Sequence, residues 1–184
     1  MPPKAKVTKE AIVGVAVEIV RKDGAQSLNA RSVASALGCS TQPVFSNFES
    51  MQELRLAVVK QADSLCNYYI ENEIQKGEFP AYKASGMAYI RFAREESELF
   101  KLLYMRDRSE EMEYELNGER MEAIVQSHTG LDGDAARLFH LEMWVYVHGI
   151  ATMMATGFLD LDRELVSKML TDSYQGLRKQ YGLE

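Results

Sequence analysis

Apolar side chains return every three or four positions along nearly the whole chain, and no stretch alternates apolar and polar residues one by one. The first spacing marks a helix with one buried face; the second would have marked a half-buried strand. The pattern predicts an all-α fold of about nine helices. The first segment starts from a Thr8 cap, ends at Asp23-Gly24, and carries Ile12, Val15, Ala16, Ile19 and Val20 on one stripe. A long segment opens at Ser50 and continues to about Ile74, with Leu54, Val58, Leu65 and Tyr69 at a looser helical spacing. Gly77 and Phe79-Pro80 end it, because the residue before a proline avoids the helical region. Five further segments follow at about 81–94, 96–105, 109–127, 133–157 and 161–181. Pro80 suits a first helical position, Asp132 or Asp134 can cap the fourth of these, and Asp160 or Asp162 the fifth.

Between the first and the long segment, the chain breaks into two short helical pieces. Asn29 is a good N-cap for the first, and Val33, Ala34 and Leu37 give it a narrow apolar stripe. Gly38 stands just past the last apolar residue, where a left-handed backbone ends a helix at no cost from a Cβ. Ser40 is read as the cap of the second piece, in which Val44 and Phe48 supply the one buried side. Thr41, Gln42, Phe45 and Ser46 are left pointing the other way. Two short helices joined by a glycine-containing turn are the sequence form of a helix-turn-helix, whose second helix enters the DNA major groove. Residues 1–50 are therefore read as a DNA-binding domain and 51–184 as a helical domain, joined along the long segment without a flexible linker.

The segment at 133–157 is apolar nearly all round. Leu138, Leu141, Val145 and Thr152 share one face, Trp144, Val147, His148 and Ala151 a second, and Phe139, Met143, Tyr146, Ile150 and Met154 a third. Such a helix cannot keep one side in water. Either it is the centre of a bundle, or one face packs on its own domain and another on a second copy. The last segment also has a wide apolar face, with Leu165, Val166, Met169, Leu170, Tyr174 and Leu177. Two such helices suit a four-helix dimer interface. Phe139, Met143, Tyr146, Ile150, Met154, Leu170 and Tyr174 are its expected members.

Charge changes this picture only at one end. The chain carries a net charge of −6, yet residues 1–60 hold eight Lys/Arg against five Asp/Glu. A basic head on an acidic body fits a protein whose phosphate contacts sit in one small module, though the excess is modest. Cys39 and Cys66 lack metal-ligand spacing and suggest no disulfide framework, so a reducing compartment is the simpler reading. The opening MPPKAKVTKE has no apolar core of a signal peptide, and no uncharged run is longer than Met143–Leu159, which is shorter than the roughly 20 residues of a spanning helix. A soluble, cytoplasmic protein with no membrane partner is expected. His128, His140 and His148 form no metal-ligand set with the cysteines, and no phosphate loop, nucleophile elbow or HExxH occurs. Neither a metal, a cofactor nor an enzymatic activity is expected.

Leu28 through Leu54 resembles the DNA-binding motif of TetR-type transcriptional repressors. The matching features are Val33-Ala34 with Leu37-Gly38, the two aromatics Phe45 and Phe48, and the capped start at Ser50 through Leu54. The resemblance implies base and phosphate contacts at Thr41, Gln42, Phe45, Ser46 and Asn47, with Arg31 near the start of the preceding helix. Asn29 and Ser40 at the two caps, and Lys4 and Lys6 in the N-terminal arm, complete the candidate set; the arm lysines are equally readable as idle tail charges. Gln42 can pair with adenine N6 and N7, while Arg31 can clamp a guanine or hold a phosphate.

The body adds to the likeness. Ile90-Arg91-Phe92-Ala93-Arg94-Glu95-Glu96 with Leu99-Phe100, followed by Trp144 and His148-Gly149, is similar to the TetR C-terminal type named for its Trp-His-Gly signature. That similarity implies a homodimer formed through the last two helices and a small-molecule pocket in the bundle. The expected function is repression at a double-stranded operator relieved by the effector, with corepression by a ligand that favours the DNA-ready spacing equally allowed. Phe92, Phe100, Leu103, Tyr104, Met105, Trp144, His148 and Met153 are the candidate lining, each also readable as an ordinary core residue. Ten Met and seventeen aromatics suit a core that repacks around an apolar ligand. His148 is either the polar handle of that cavity or a hydrogen-bonded structural histidine.

Two departures from the family pattern matter. Phe45 stands where many relatives have a tyrosine whose hydroxyl meets a phosphate, and Met51 where many have lysine. The runner-up reading, a ligand- or protein-binding helical module with a vestigial DNA head, draws on both. On the DNA-binding reading they lead us to expect weaker binding with a shallower salt dependence, each lost phosphate contact lowering the slope by about one.

Overall fold

The first cap holds as read: Thr8 Oγ1 accepts the Ala11 amide at 3.2 Å and opens α1 (Lys9–Asp23). The structure is a computed structural model that describes residues 7–105 and 118–183. A single 3-10 turn (Ala25–Ser27) leads to α2 (Ala30–Ala36) and α3 (Gln42–Asn47). The long α4 (Met51–Lys76) follows, then α5 (Ala81–Glu95) and α6 (Ser97–Tyr104). After them come α7 (Gly118–Thr129), α8 (Gly133–Ala155) and α9 (Arg163–Gln180). Among the described residues every regular element is helical, and no helix is long and apolar enough to cross a membrane.

Boundaries differ from expectation where caps decide them. Pro80 lies one residue before α5, its carbonyl accepting the Ala84 amide at 2.9 Å. Asp162 caps α9 through the Leu165 amide at 2.8 Å, which starts that helix later than position 161. Asp132 occupies the N-cap of α8 without a side-chain bond. Of the segment expected at 109–127, residues 109–117 lie outside the described residues.

Two compact units result, divided within α4 at Cys66 and not at residue 50, and α6 belongs to the first of them. The first unit packs α1 against α2 and α6, and α2 against α3. Ile12, Ala16, Val20, Val33, Val44, Phe48, Leu54, Leu99 and Phe100 are buried there. Val17 replaces Val15 and Ile19 among the fully buried residues of α1. Arg21 Nε, near the end of α1, meets Glu96 at 2.7 Å beside the start of α6. Burial pushes the Cys66 thiol up to about 12, and its Sγ lies 3.7 Å from the Tyr104 hydroxyl.

In the second unit α5 packs against α7, α8 and α9. Small residues make that possible. Ala84, Ser85, Ala88 and Ala93 are buried, and a Cβ on Gly86 would come within 3.3 Å of Leu170 and 3.6 Å of Val147. Val125, Ala136, Phe139 and Met143 form a buried cluster edged by Tyr82, Tyr174 and Tyr181. Phe139 meets the Tyr174 and Tyr181 rings edge-on at 5.7 and 5.4 Å.

This packing turns most of the expected dimer face toward the chain's own core. Phe139, Met143, Ile150, Met154 and Leu170 are buried in the chain's own core, and Tyr146 and Tyr174 are half-buried. The face left on the surface of α8 carries Leu138, Leu141, Trp144, Val145 and Met153. All three faces of this helix are apolar, so hydrophobic spacing cannot say which one turns inward.

One carboxylate joins three helices of the second unit. Glu73 on α4 is 3 % exposed and receives Lys76 at 2.8 Å, Arg91 of α5 at 3.1 Å and Arg163 of α9 at 3.1 Å. Burial pushes its pKa up, but the hydrogen bonds from Lys76 and Arg163 and the charge of Arg91 outweigh this and hold it below the ordinary range. Breaking a fully buried ion pair costs about 3–5 kcal/mol. Arg91 and Arg163 keep 35 % and 57 % of their side-chain surface, so solvent recovers part of that. Glu73→Gln is expected to lower unfolding stability by about 2 kcal/mol, read from the urea midpoint. Because folding lowers this pKa, the contribution is complete above the unfolded value of about 4.3 and vanishes as pH falls through the folded one. The difference between wild type and E73Q should therefore shrink on acidification through that window.

Candidate nucleic-acid interface

The interface is built from two helices too short to stand alone, so their ends matter more than their middles. Asn29 Oδ1 accepts the Arg31 and Ser32 amides at 3.0 Å each, and Ser32 Oγ accepts the Asn29 amide at 3.1 Å. This reciprocal box fixes the start of α2. Asn29 Nδ2 also donates to the Ser27 carbonyl at 3.2 Å. Its polar atoms are thus engaged within the protein, and Asn29 is placed as a cap. Val33 and Ala34 turn inward, while Arg31, Ser35 and Ala36 are exposed.

Gly38 closes α2 with φ +64. The Gly38 amide donates to the Ser35 carbonyl at 3.1 Å and the Cys39 amide to the Ala34 carbonyl at 3.0 Å. These are the paired bonds of a Schellman ending, and they need the left-handed backbone that glycine adopts without strain. Ser40 is exposed and does not cap the next helix, contrary to expectation. Thr41 takes the N-cap place with a helical backbone (φ −72, ψ −12), and its side chain makes no cap bond. Pro43, in the first turn, helps set the helical course that the missing cap does not.

Val44 and Phe48 anchor α3 at 0 % and 2 % exposure, as the i, i+4 spacing requires. Gln42, Phe45 and Ser46 are exposed on the other side, with Thr41 and Asn47 half-buried. Ser46 Oγ donates to the Gln42 carbonyl at 2.9 Å, and Asn47 Nδ2 to the Pro43 carbonyl at 2.8 Å. Lys4 and Lys6 lie outside the described residues.

A carboxylate that sequence reasoning passed over stands beside α3. Glu53 Oε1 meets Lys9 Nζ at 2.7 Å, and its other oxygen accepts the Glu49 amide at 2.7 Å. The Lys9 bond first, and that amide second, hold the Glu53 carboxyl below its usual range. Lys9 also lies 4.6 Å over the Phe48 ring. The Ser50–Glu53 spacing is the signature of a capping box, and the Glu53 amide does bond Ser50 Oγ at 3.2 Å. That signal was available; the partner 44 residues away was not. Lys9, Phe45, Ser46, Asn47, Phe48, Glu49 and Glu53 line a shallow depression there.

The expected pocket residues are divided between the two units. Phe100, Leu103, Tyr104 and Met105 belong to the first unit; Phe92, Trp144, His148 and Met153 to the second. Phe92, Phe100 and Leu103 are buried, Tyr104 and His148 half-buried, and Met105, Trp144 and Met153 exposed. Trp144 stacks on His148 with ring centroids 4.8 Å apart. His148 Nδ1 bonds the Tyr89 hydroxyl at 2.9 Å, and burial lowers its pKa. One turn pair earlier, His140 Nδ1 meets the Tyr82 hydroxyl at 3.0 Å. Tyr89 and Tyr82 were not foreseen, since nothing in the sequence pairs α5 with α8. Among the described residues no group of His, Cys, Asp or Glu could hold a metal ion.

Comparison with known proteins places this architecture. The family model described as tetracyclin repressor-like, C-terminal domain matches residues 82–173, half of the chain. The chain belongs to the TetR family. The match includes Trp144 and His148-Gly149, and the protein is a transcriptional regulator of that family. It is 26 % identical over 161 residues to an uncharacterized HTH-type transcriptional regulator of Mycobacterium tuberculosis, covering 85 % of this chain and 74 % of that one. In fold it resembles a protein of unknown function from Rhodococcus sp. RHA1, with a TM-score of 0.78, 22 % identity and coverage of 96 % and 98 %. It also resembles a TetR family member from Streptomyces coelicolor A3, with a TM-score of 0.65, 19 % identity and coverage of 88 % and 95 %.

The turn between α2 and α3 is the part of this TetR-family head most open to test. Gly38→Ala forces a Cβ into a left-handed residue and is expected to cost about 1–2 kcal/mol. Asn29→Ala should cost about 1 kcal/mol through two amides left without their acceptor. Both are measured as shifts in urea midpoint. A Gly38→Ala variant as stable as wild type would show that the turn tolerates another backbone.

Proposed function

We propose that this TetR-family regulator is a homodimeric repressor that reads a pseudopalindromic operator with α3 and is released from it by a small, largely apolar effector. The observation carrying the DNA reading is the outward set Gln42, Phe45 and Ser46, exposed opposite the buried pair Val44 and Phe48. An amphipathic helix of six residues has little reason to expose amide, phenyl and hydroxyl together on a fixed support unless that face meets something. We assign the half-buried Thr41 and the exposed Arg31 to the same interface, and the HTH-type regulator from Mycobacterium tuberculosis supports the assignment.

A two-fold operator needs two heads presented about 34–36 Å apart, or a multiple of it. The exposed row Leu138, Leu141 and Val145 on α8, at 50 %, 53 % and 58 %, is the surface we assign to a second copy. Contiguous exposed aliphatics of this kind mark interaction sites. For the effector, the second unit offers Trp144 stacked on His148, with the Tyr89 hydroxyl as polar partner. An effector that prefers the dimer geometry unsuited to DNA lowers operator affinity by its differential binding, typically 1–3 kcal/mol or 5–150-fold.

Duplexes selected by the purified protein from random sequence test the reading in a mobility-shift assay. Gln42→Ala is expected to lose about 5- to 150-fold on the selected site, with nonspecific binding unchanged. Leu141→Glu combined with Val145→Glu should move the protein to monomer mass and abolish two-fold site preference. Wild type that selects no sequence, or binds without salt dependence, would defeat the DNA assignment.

A further inference from the structure

Phe45 is the residue of this head whose exposure is hardest to explain by packing. It is 55 % exposed on α3, three residues after Gln42 and next to Ser46, both also exposed. The helix already has its apolar side in Val44 and Phe48, so nothing in the fold calls for a further aromatic ring. Its surroundings on the outward face are short and polar, not a contiguous apolar patch of the kind a protein partner needs.

The neighbouring polar groups are partly engaged. Ser46 Oγ and Asn47 Nδ2 give their hydrogens to carbonyls of α3 itself. What the outward face offers most freely is therefore one amide, Gln42, and one apolar ring, Phe45. The base edges in the major groove present hydrogen-bonding groups at every pair but only one apolar group, the C5-methyl of thymine. A single ring set among polar side chains is complementary to a single methyl set among donors and acceptors. Residues at i and i+3 lie about 5–6 Å apart at Cβ, a separation comparable to one or two base-pair steps.

We propose that Phe45 is a specificity-determining residue that reads the C5-methyl of one thymine in each half-site, next to the base pair met by Gln42. This rests on the DNA-binding reading above.

Replacing thymine by deoxyuridine removes the methyl and leaves base pairing intact, which isolates the contact. The probe is the duplex selected by wild-type protein, remade with one deoxyuridine at each thymine of one half-site in turn. Covering one methyl or methylene from water is worth about four-fold in affinity. Wild type is expected to lose about three- to five-fold at one thymine position and less than two-fold at the others. Phe45→Ala should bind the thymine and deoxyuridine duplexes equally at that position. Because the ring is exposed, this variant should keep the wild-type urea midpoint, which separates misfolding from loss of the contact. Wild type indifferent to deoxyuridine at every position, or Phe45→Ala showing the same loss as wild type, overturns the assignment while leaving DNA binding intact. Failure of wild type to select any duplex overturns the underlying reading instead.

Discussion

Everything proposed for the head depends on two side chains, Val44 and Phe48, holding six residues of helix in one orientation. A helix of that length has no stability of its own in water. Its cap residue makes no side-chain bond, so hydrogen bonding at its start contributes little. What remains is burial of one valine and one phenylalanine, each worth about 1.5–3 kcal/mol, together with the Gly38 turn that delivers the chain at the right angle. The outward face is fixed because the inward one is. The same constraint explains why α1 exists in this unit: its Ile12, Ala16 and Val20 form part of the wall against which α2 is packed.

How far this could be read in advance varied with the kind of signal. Caps and turns that are local in sequence were legible: Thr8, Asn29, Gly38, Ser50 and Asp162 all act where they were expected, because their partners lie within a few residues. Ser40 failed for a reason equally local. The helix starts one residue later than that cap would place it, and Thr41 already has helical dihedrals. The inward pair of α3 was legible because only two of its residues are aliphatic or aromatic at i, i+4 spacing.

In α8 hydrophobic spacing does not single out an inward face, for a physical reason. Periodicity identifies a buried face by contrast with a polar one, and this helix has no such contrast between Phe139, Leu141 and Trp144. The inward choice is made by its neighbours: α5 presents small residues and the gap at Gly86, and Tyr174 and Tyr181 enclose Phe139. The Tyr–His bonds and the Glu73 cluster were likewise invisible, since each joins positions that only the tertiary packing brings together.

The charge of the head limits what it can do alone, and that bears on why a second copy matters. The excess of positive charge in residues 1–60 is small, Lys9 is engaged by Glu53, and neither Phe45 nor Met51 offers a phosphate contact. On the proposed DNA-binding reading, sequence-independent attraction is consequently weak. A bidentate Gln42 contact contributes about 1–3 kcal/mol of discrimination, and one apolar contact about 0.8 kcal/mol. A single head with these means falls short of the roughly 4–10 kcal/mol that separates specific from nonspecific binding. Two heads held at a fixed separation roughly double the discrimination and lose little further entropy at the second half-site. On this reading the exposed Leu138, Leu141 and Val145 are as necessary to operator selection as Gln42 itself, because without the pair neither head discriminates enough to regulate.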